Sequence, residues 1–146
     1  MFAHGRLRTC GGRVRPREEK IMNVALWVIA GLLAVAMLGA GSMKLVKSKT
    51  QLAANPQMAW AADFSPALIK FIGAVEFLAA IGLILPPNVG IAPVLVAVAA
   101  AGIVLLMIGA AVTHGRRGEY SPIAINVLLL ALSAVVVWGR LGPYRF

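Results

Sequence analysis

Glu76 invites a chemical interpretation more than any other residue here, because it interrupts a long run of apolar residues. It stands in the stretch KFIGAVEFLAAIGLIL, residues 70–85. A charged group near the middle of a bilayer costs about 2.5–3.5 kcal/mol on insertion scales, so its presence needs a reason. Either Glu76 accepts a proton or holds a ligand at the bottom of a pocket, or it ties helices together. The residues alone leave both interpretations open.

Other polar side chains fall near one end of the apolar segments, by a count of about 1.5 Å per helical residue. The side chains that can join Glu76 are Lys44, Lys70, His114, Asn126 and Ser133. Ser133 reaches about the depth of Glu76, so we expect Glu76 to face inward and bond to Ser133 or a buried water. Lys70 should extend outward instead of pairing with Glu76. His114 either has a specific role at this mouth or interacts with helix-end carbonyls and headgroups.

The elements that would position these residues are membrane-spanning helices. Of the 146 residues, 60% are hydrophobic and 13% charged, and the mean hydropathy is +0.87, whereas a soluble domain carries about 25% charged residues. Four apolar segments, at about 23–43, 66–85, 92–113 and 122–139, approach or reach the roughly 20 residues that cross a bilayer. The predicted fold class is therefore all-α, an integral membrane bundle of four transmembrane helices.

Local signals support these boundaries. The Ser-Pro pairs at residues 65–66 and 121–122 are typical of an N-cap followed by a first-turn proline. The Pro-Pro pair at 86–87 should end the second helix. Residues 44–65 mix apolar and polar positions, which predicts short amphipathic pieces at the membrane interface; an ordinary solvated loop is the alternative.

The aromatic, basic, cysteine and histidine residues indicate membrane-interface anchors and argue against disulfide and metal sites. Trp60, Trp138, Arg140 and Tyr144 are predicted interface anchors, since aromatic and basic residues favour the headgroup level. The chain has one cysteine, Cys10, and two histidines, so it offers no intrachain disulfide and no convincing metal site. We therefore expect no intrinsic cofactor and no catalytic residue.

Residues 1–21 form a basic tail, distinct from a membrane domain at 22–146. The first 22 residues hold six of the 14 basic residues in a chain of net charge +9. No aromatic interleaving or binding-domain pattern accompanies them, so nucleic acid is not an expected partner. The tail is either a disordered cytoplasmic arm touching anionic lipid or an artefact of a start site that truly lies at Met22.

The residues from about 22 to 146 resemble the DoxX-like family of small four-helix membrane proteins. The likeness lies in AGSMKL, LIKFIGAVEFLAAIGLILP, MIGAAVTHGRRGE, NVLLLALSAVVVWGR and GPYRF. It implies a multi-pass protein of the bacterial cytoplasmic membrane, with Lys44, Glu76, His114 and Asn126 at the family's polar positions. Its relatives include the small subunit of a thiosulfate:quinone oxidoreductase, which implies a quinone-like lipid or a membrane oxidoreductase as partner.

Two hypotheses of different classes follow. In the first, the protein is an accessory or subunit of a quinone-linked membrane redox system, with a polar mouth leading to Glu76. In the second, it is a structural or interaction protein without a ligand, in which Glu76 only fixes helix packing. Small residues at 97–102, AVAAAG, also predict self-association into a homo-oligomer.

Overall fold

The computed structural model describes residues 15–90 and 92–144, which form helices joined by short turns. In chain order these are α1 (Pro16–Val46), α2 (Lys49–Ala53), a 3₁₀ helix (Pro56–Asp63), α3 (Pro66–Asn88), α4 (Leu95–Arg116) and α5 (Tyr120–Leu141). The helices α1, α3, α4 and α5 are long and apolar enough to cross a membrane. The predicted class, an all-α protein with four membrane spans, is confirmed.

The four long helices pack as a ring in which α1 contacts α3, α3 contacts α4, α4 contacts α5, and α5 contacts α1. The main core lies in the half of the bundle nearest the α3–α4 turn, where Met37, Leu83, Ile103 and Val136 are buried. Apolar side chains also cover the outside, as a membrane protein requires, since lipid chains are as apolar as the core. The opposite half, near the α4–α5 turn, holds the polar groups.

Helix α1 begins at Pro16, earlier than the predicted residue 23, and has 31 residues. Proline suits the first turn, and Glu18 and Glu19 in that turn interact favourably with the helix dipole. Residues 16–21 are thus helical, so the predicted disordered tail does not extend to residue 21. The rest of that tail, residues 1–14, lies outside the described residues.

The later helix boundaries shift by a few residues. Helix α3 begins after Ser65, whose hydroxyl accepts a hydrogen bond from the Leu68 amide at 3.2 Å, as predicted. It continues through the Pro-Pro pair to Asn88, whose side-chain amide donates to the Ile84 carbonyl at 2.5 Å. Helix α5 begins at Tyr120, so the predicted Ser121 cap is wrong: Ser121 and Pro122 lie in the first turn, where a missing N–H costs no helical bond.

The segment between α1 and α3 forms two short helical pieces, as predicted, and not a solvated loop. Ser48 caps α2, because its hydroxyl accepts from the Gln51 amide while its own amide donates to the Gln51 side chain. The apolar side chains of these pieces turn inward, with Leu52 and Trp60 packing against Ile69 of α3. The segment therefore covers one end of the bundle.

The small residues at 97–102 lie on more than one face of α4. Ala97 and Ala100 are buried in the bundle, and Ala99 lies where α4 approaches Gly82 of α3, whereas Ala101 is exposed. Homo-oligomerisation itself stays a prediction.

Candidate functional site

Glu76 pairs with Lys44, a contact that joins α1 to α3. The Lys44 Nζ atom lies 2.8 Å from Oε1 and 2.7 Å from Oε2 of Glu76. Both residues are buried, with 6% of Lys44 and 5% of Glu76 exposed. The Lys44 ammonium also lies 5.8 Å from the centre of the Trp60 ring, near enough for a cation–π contact. The two charges thus neutralise each other inside the bundle.

Two glycines bring the helices close enough for this pair. A Cβ atom on Gly41 would lie 2.7 Å from the Gly73 carbonyl oxygen and 2.8 Å from the Phe77 nitrogen. A Cβ atom on Gly73 would lie 2.8 Å from the Lys44 Cβ. Each glycine stands three residues before one partner of the pair, so it lies on the same helix face, nearly one turn away. The close backbone approach and the ion pair therefore belong to one interface.

The predicted partners of Glu76 lie elsewhere. The Ser133 hydroxyl is buried, but it donates to the Leu129 carbonyl of its own helix at 2.7 Å, so the expected bond from Ser133 to Glu76 is wrong. Lys70 does not pair with Glu76, as expected. Its Nζ atom donates to the carbonyls of Lys44, Leu45 and Lys47 at 2.6–2.9 Å. Lys70 thereby fastens the last turn of α1, where carbonyls lack helical partners.

Four side chains form a polar chain at the mouth of the bundle, which we call the mouth network. It consists of Asp63, His114, Arg117 and Glu119. The Nδ1 atom of His114 lies 2.6 Å from one Glu119 oxygen, and the Arg117 Nε donates to the other at 2.7 Å. Arg117 also donates to Asp63. The network therefore ties the 3₁₀ helix to the α4–α5 turn.

The mouth network gives the protein an expected pH dependence. Hydrogen bonds from Arg117 and then His114 lower the pKa of the Glu119 carboxyl below its ordinary value. A carboxyl of this kind stabilises the fold fully above its unfolded pKa, and the contribution is lost as the pH falls through the lower folded pKa. We expect the thermal unfolding temperature in detergent to fall over this acid range.

The unfolding temperature of the variant Arg117→Gln should depend less on pH, because the substitution removes the largest cause of the lowered Glu119 pKa. Arg116→Gln is the matched control, since Arg116 is exposed and its side chain makes no hydrogen bond within residues 15–90 and 92–144. The two variants remove the same charge from adjacent positions. If the unfolding temperatures of both variants changed equally with pH, the mouth network would not be the cause of the loss of stability in acid.

A cavity of about 840 Å³ lies between the helices on the mouth side of the core. Most of its lining is apolar, and its polar edge is formed by Lys44, Glu76, His114 and Asn126. Asn126 is 9% exposed, and its side-chain nitrogen has no hydrogen-bond partner among the described residues. A buried donor of this kind is costly unless a partner satisfies it. Asn126 therefore leaves an unsatisfied donor beside the cavity.

The predicted interface anchors divide into two kinds. Trp138 is 56% exposed and stands where an anchor would. Trp60, Arg140 and Tyr144 are buried, so the expectation that they face the headgroups is wrong. Arg140 donates to the Asn23 side chain at 2.7 Å and to the Tyr144 carbonyl at 3.0 Å. The bond to Asn23 joins the end of α5 to α1.

Of the predicted polar residues, the structure brings Lys44, Glu76, His114 and Asn126 to one cavity and leaves Ser133 outside its lining. Small residues around Glu76, Gly73 among them, were expected to permit close helix approach, but Gly41 was not assigned a role. The spacing that could have identified Gly41 is the one it shares with Gly73, a glycine three residues before a charged residue. Within the described ranges, no three His, Cys, Asp or Glu side chains converge as a metal site would require.

Comparison with curated proteins finds no match, and comparison with solved structures finds none either. A family model does match: the model described as DoxX-like family covers residues 28–136. That range includes the Lys44–Glu76 pair and both other polar residues at the cavity. It also reaches into all four membrane-spanning helices. This multi-pass membrane protein therefore belongs to the DoxX-like family.

Proposed function

We propose that the protein binds a quinone-like lipid in this cavity, as an accessory or subunit of a redox system in the bacterial cytoplasmic membrane. The observation that carries the proposal is the unpartnered nitrogen of Asn126 at the polar edge of a largely apolar cavity. A quinone-like head carries neutral carbonyl acceptors, which complement the Asn126 donor. The apolar lining suits its ring and chain.

The charge of the site favours a neutral head. Lys44 and Glu76 neutralise each other at 2.7 Å, so the cavity offers no net charge with which to hold an ion. An ionic ligand would have to leave water without a full counter-charge, which is costly in a medium of low polarity. A neutral acceptor avoids that cost. Lys44 can share one of its ammonium protons with such a head while it keeps Glu76.

The chain itself supplies no electron carrier, since it has a single cysteine and two histidines. Iron–sulfur clusters and haem need sets of such ligands. Electrons would therefore pass between the bound quinone and a partner oxidoreductase. The role of this chain is to hold and orient the lipid at the polar edge.

Binding of decylubiquinone to the purified protein in lipid nanodiscs tests the proposal. We expect Asn126→Leu to weaken binding about three- to tenfold, the effect of one neutral hydrogen bond. The thermal stability of this variant should not fall, because the substitution removes an unsatisfied buried nitrogen. Ser133→Ala is the matched control on the same helix: its hydroxyl bonds to its own backbone, so binding should be unchanged.

The alternative function is structural, and one observation favours it. The Lys44–Glu76 pair lies beside the close backbone approach of α1 and α3 at Gly41 and Gly73, where an ion pair can fix helix register without any ligand. The same experiment separates the two. Absence of saturable quinone binding by the unmodified chain would favour the structural function, as would equal binding by Asn126→Leu and the unmodified chain.

A further inference from the structure

The cavity is a wedge between α3 and α4. Near the turn that joins them, the two helices touch: a Cβ atom on Gly82 would lie 2.9 Å from the Ala99 Cβ. Toward the mouth they separate, and Cβ atoms on Gly102 and Gly109 of α4 would meet nothing within 4 Å. Both of these glycines line the cavity. The cavity is therefore closed at the turn and widens toward the α4–α5 end.

The wedge is open on the side that faces lipid. Three of its apolar lining residues are largely exposed: Phe71 at 64%, Leu105 at 71% and Ile125 at 60%. They lie on α3, α4 and α5, within the membrane-spanning segments. Side chains so exposed cannot belong to an enclosed chamber. Exposed apolar side chains on a membrane-spanning helix are expected to face lipid chains.

The aqueous end of the wedge is covered. Gln57, Met58 and Trp60 of the 3₁₀ helix line the cavity from that end. Trp60 is only 9% exposed and packs against Phe64, with ring centres 5.8 Å apart. The ion pair between Asp63 and Arg117 holds this helix to the α4–α5 turn. A solute arriving from water would have to displace this cover.

We infer that the ligand enters sideways from the hydrocarbon, between α3 and α4. The inference rests on the proposed function and adds to it the access route and the ligand class. The ligand is a lipid with one flexible apolar chain and a small neutral head that accepts hydrogen bonds. Its head reaches Asn126 at the polar edge, while its chain stays in the wedge against Phe71 and Leu105.

Quenching of Trp60 fluorescence tests the access route without any quinone. The variant Trp27→Phe/Trp138→Phe leaves Trp60 as the single tryptophan, at the covered aqueous end of the cavity. The protein is placed in vesicles of phosphatidylcholine brominated at carbons 6 and 7 of one chain. We expect the brominated lipid to quench Trp60 strongly, and acrylamide in the water to quench it weakly.

Filling the wedge should protect Trp60. Gly102→Leu and Gly109→Leu each place a side chain in open space on α4, and leucine favours a helix over glycine, so both should fold. We expect each to reduce quenching by the brominated lipid at least twofold. Gly31→Leu and Gly39→Leu are matched controls on α1: their Cβ atoms also meet nothing within 4 Å, and neither lines the cavity.

Stronger quenching by acrylamide than by brominated lipid would overturn the lateral route, and so would equal quenching in the filled and control variants. A second readout uses the chain with its own tryptophans: Gly109→Leu should slow decylubiquinone association, and Gly39→Leu should not. Quenching requires no ligand, so its failure would leave the Asn126 binding result intact. Conversely, loss of quinone binding would not alter the quenching pattern.

Discussion

Replacement of Lys44 by methionine should destabilise the folded protein by about 3–5 kcal/mol, the usual cost of removing one partner of a buried ion pair. The loss arises because the Glu76 carboxylate, 5% exposed, keeps its burial without its counter-charge. Equilibrium unfolding in lipid bicelles measures the effect. Lys47→Met is the matched control, since Lys47 is exposed near the same helix end and should change the unfolding free energy by less than about 0.5 kcal/mol.

The double variant Lys44→Met/Glu76→Leu should regain most of this stability. Apolar pairs of similar volume often replace buried ion pairs without loss, and sometimes with a gain of about 1–4 kcal/mol. If the pair serves the ligand, the double variant folds but does not recover quinone binding. A stable double variant that binds the quinone like the unmodified chain would assign the pair a purely structural role. Near-normal stability of Lys44→Met alone would contradict the ion-pair argument itself.

Gly41→Ala should destabilise the protein by about 1–3 kcal/mol, the typical cost of forcing extra volume into a packed interface. The added methyl would lie 2.7 Å from the Gly73 carbonyl oxygen and 2.8 Å from the Phe77 nitrogen. Both neighbours are backbone atoms, so no side chain can move aside and α1 must separate from α3. The Lys44–Glu76 bonds should lengthen with that separation.

Gly39→Ala, two residues before Gly41, should not destabilise the protein and can stabilise it. Its Cβ atom would meet nothing within 4 Å, and alanine favours a helix over glycine by about 1 kcal/mol. In bicelles, the free energy of unfolding of Gly41→Ala should therefore be lower than that of the unmodified protein. The value for Gly39→Ala should be equal to that of the unmodified protein or higher. Equal effects of the two substitutions would mean that helix propensity, and not the contact with Gly73, governs stability along this part of α1.

The four spans could be predicted because each is a long apolar segment, and length and hydropathy are local properties. The end of α3 was harder to place, because Asn88 supplies a side-chain donor to the Ile84 carbonyl beyond the proline pair. The start of α1 at Pro16 was missed because residues 17–20 are all charged, and hydropathy marks only the part of a helix that matches hydrocarbon. Helix signals at its first turn were present in Glu18 and Glu19.

Four of the six predicted polar side chains line the cavity, but the pairing of Lys44 with Glu76 was not predicted. Counting depth along separate helices placed Lys44 at the mouth and Glu76 well inside, and so directed attention to Ser133. A count of depth does not include the rotation of each helix about its axis or the distance between two helix axes. Gly41 and Gly73 reduce that distance between α1 and α3. Arg140 was misassigned for a related reason: its partner Asn23 is 117 residues away in the chain, and no local pattern indicates such a contact.

The position of the ion pair in the chain also bears on how the protein enters its membrane. Lys44 and Glu76 lie on α1 and α3, which are consecutive spans. Each charge alone would raise the cost of partition from the translocon into lipid by about 2.5–3.5 kcal/mol if it stood at mid-bilayer. Both can be neutralised as soon as the second span has been synthesised, before α4 and α5 leave the ribosome. The first two spans can therefore insert as a charge-balanced hairpin.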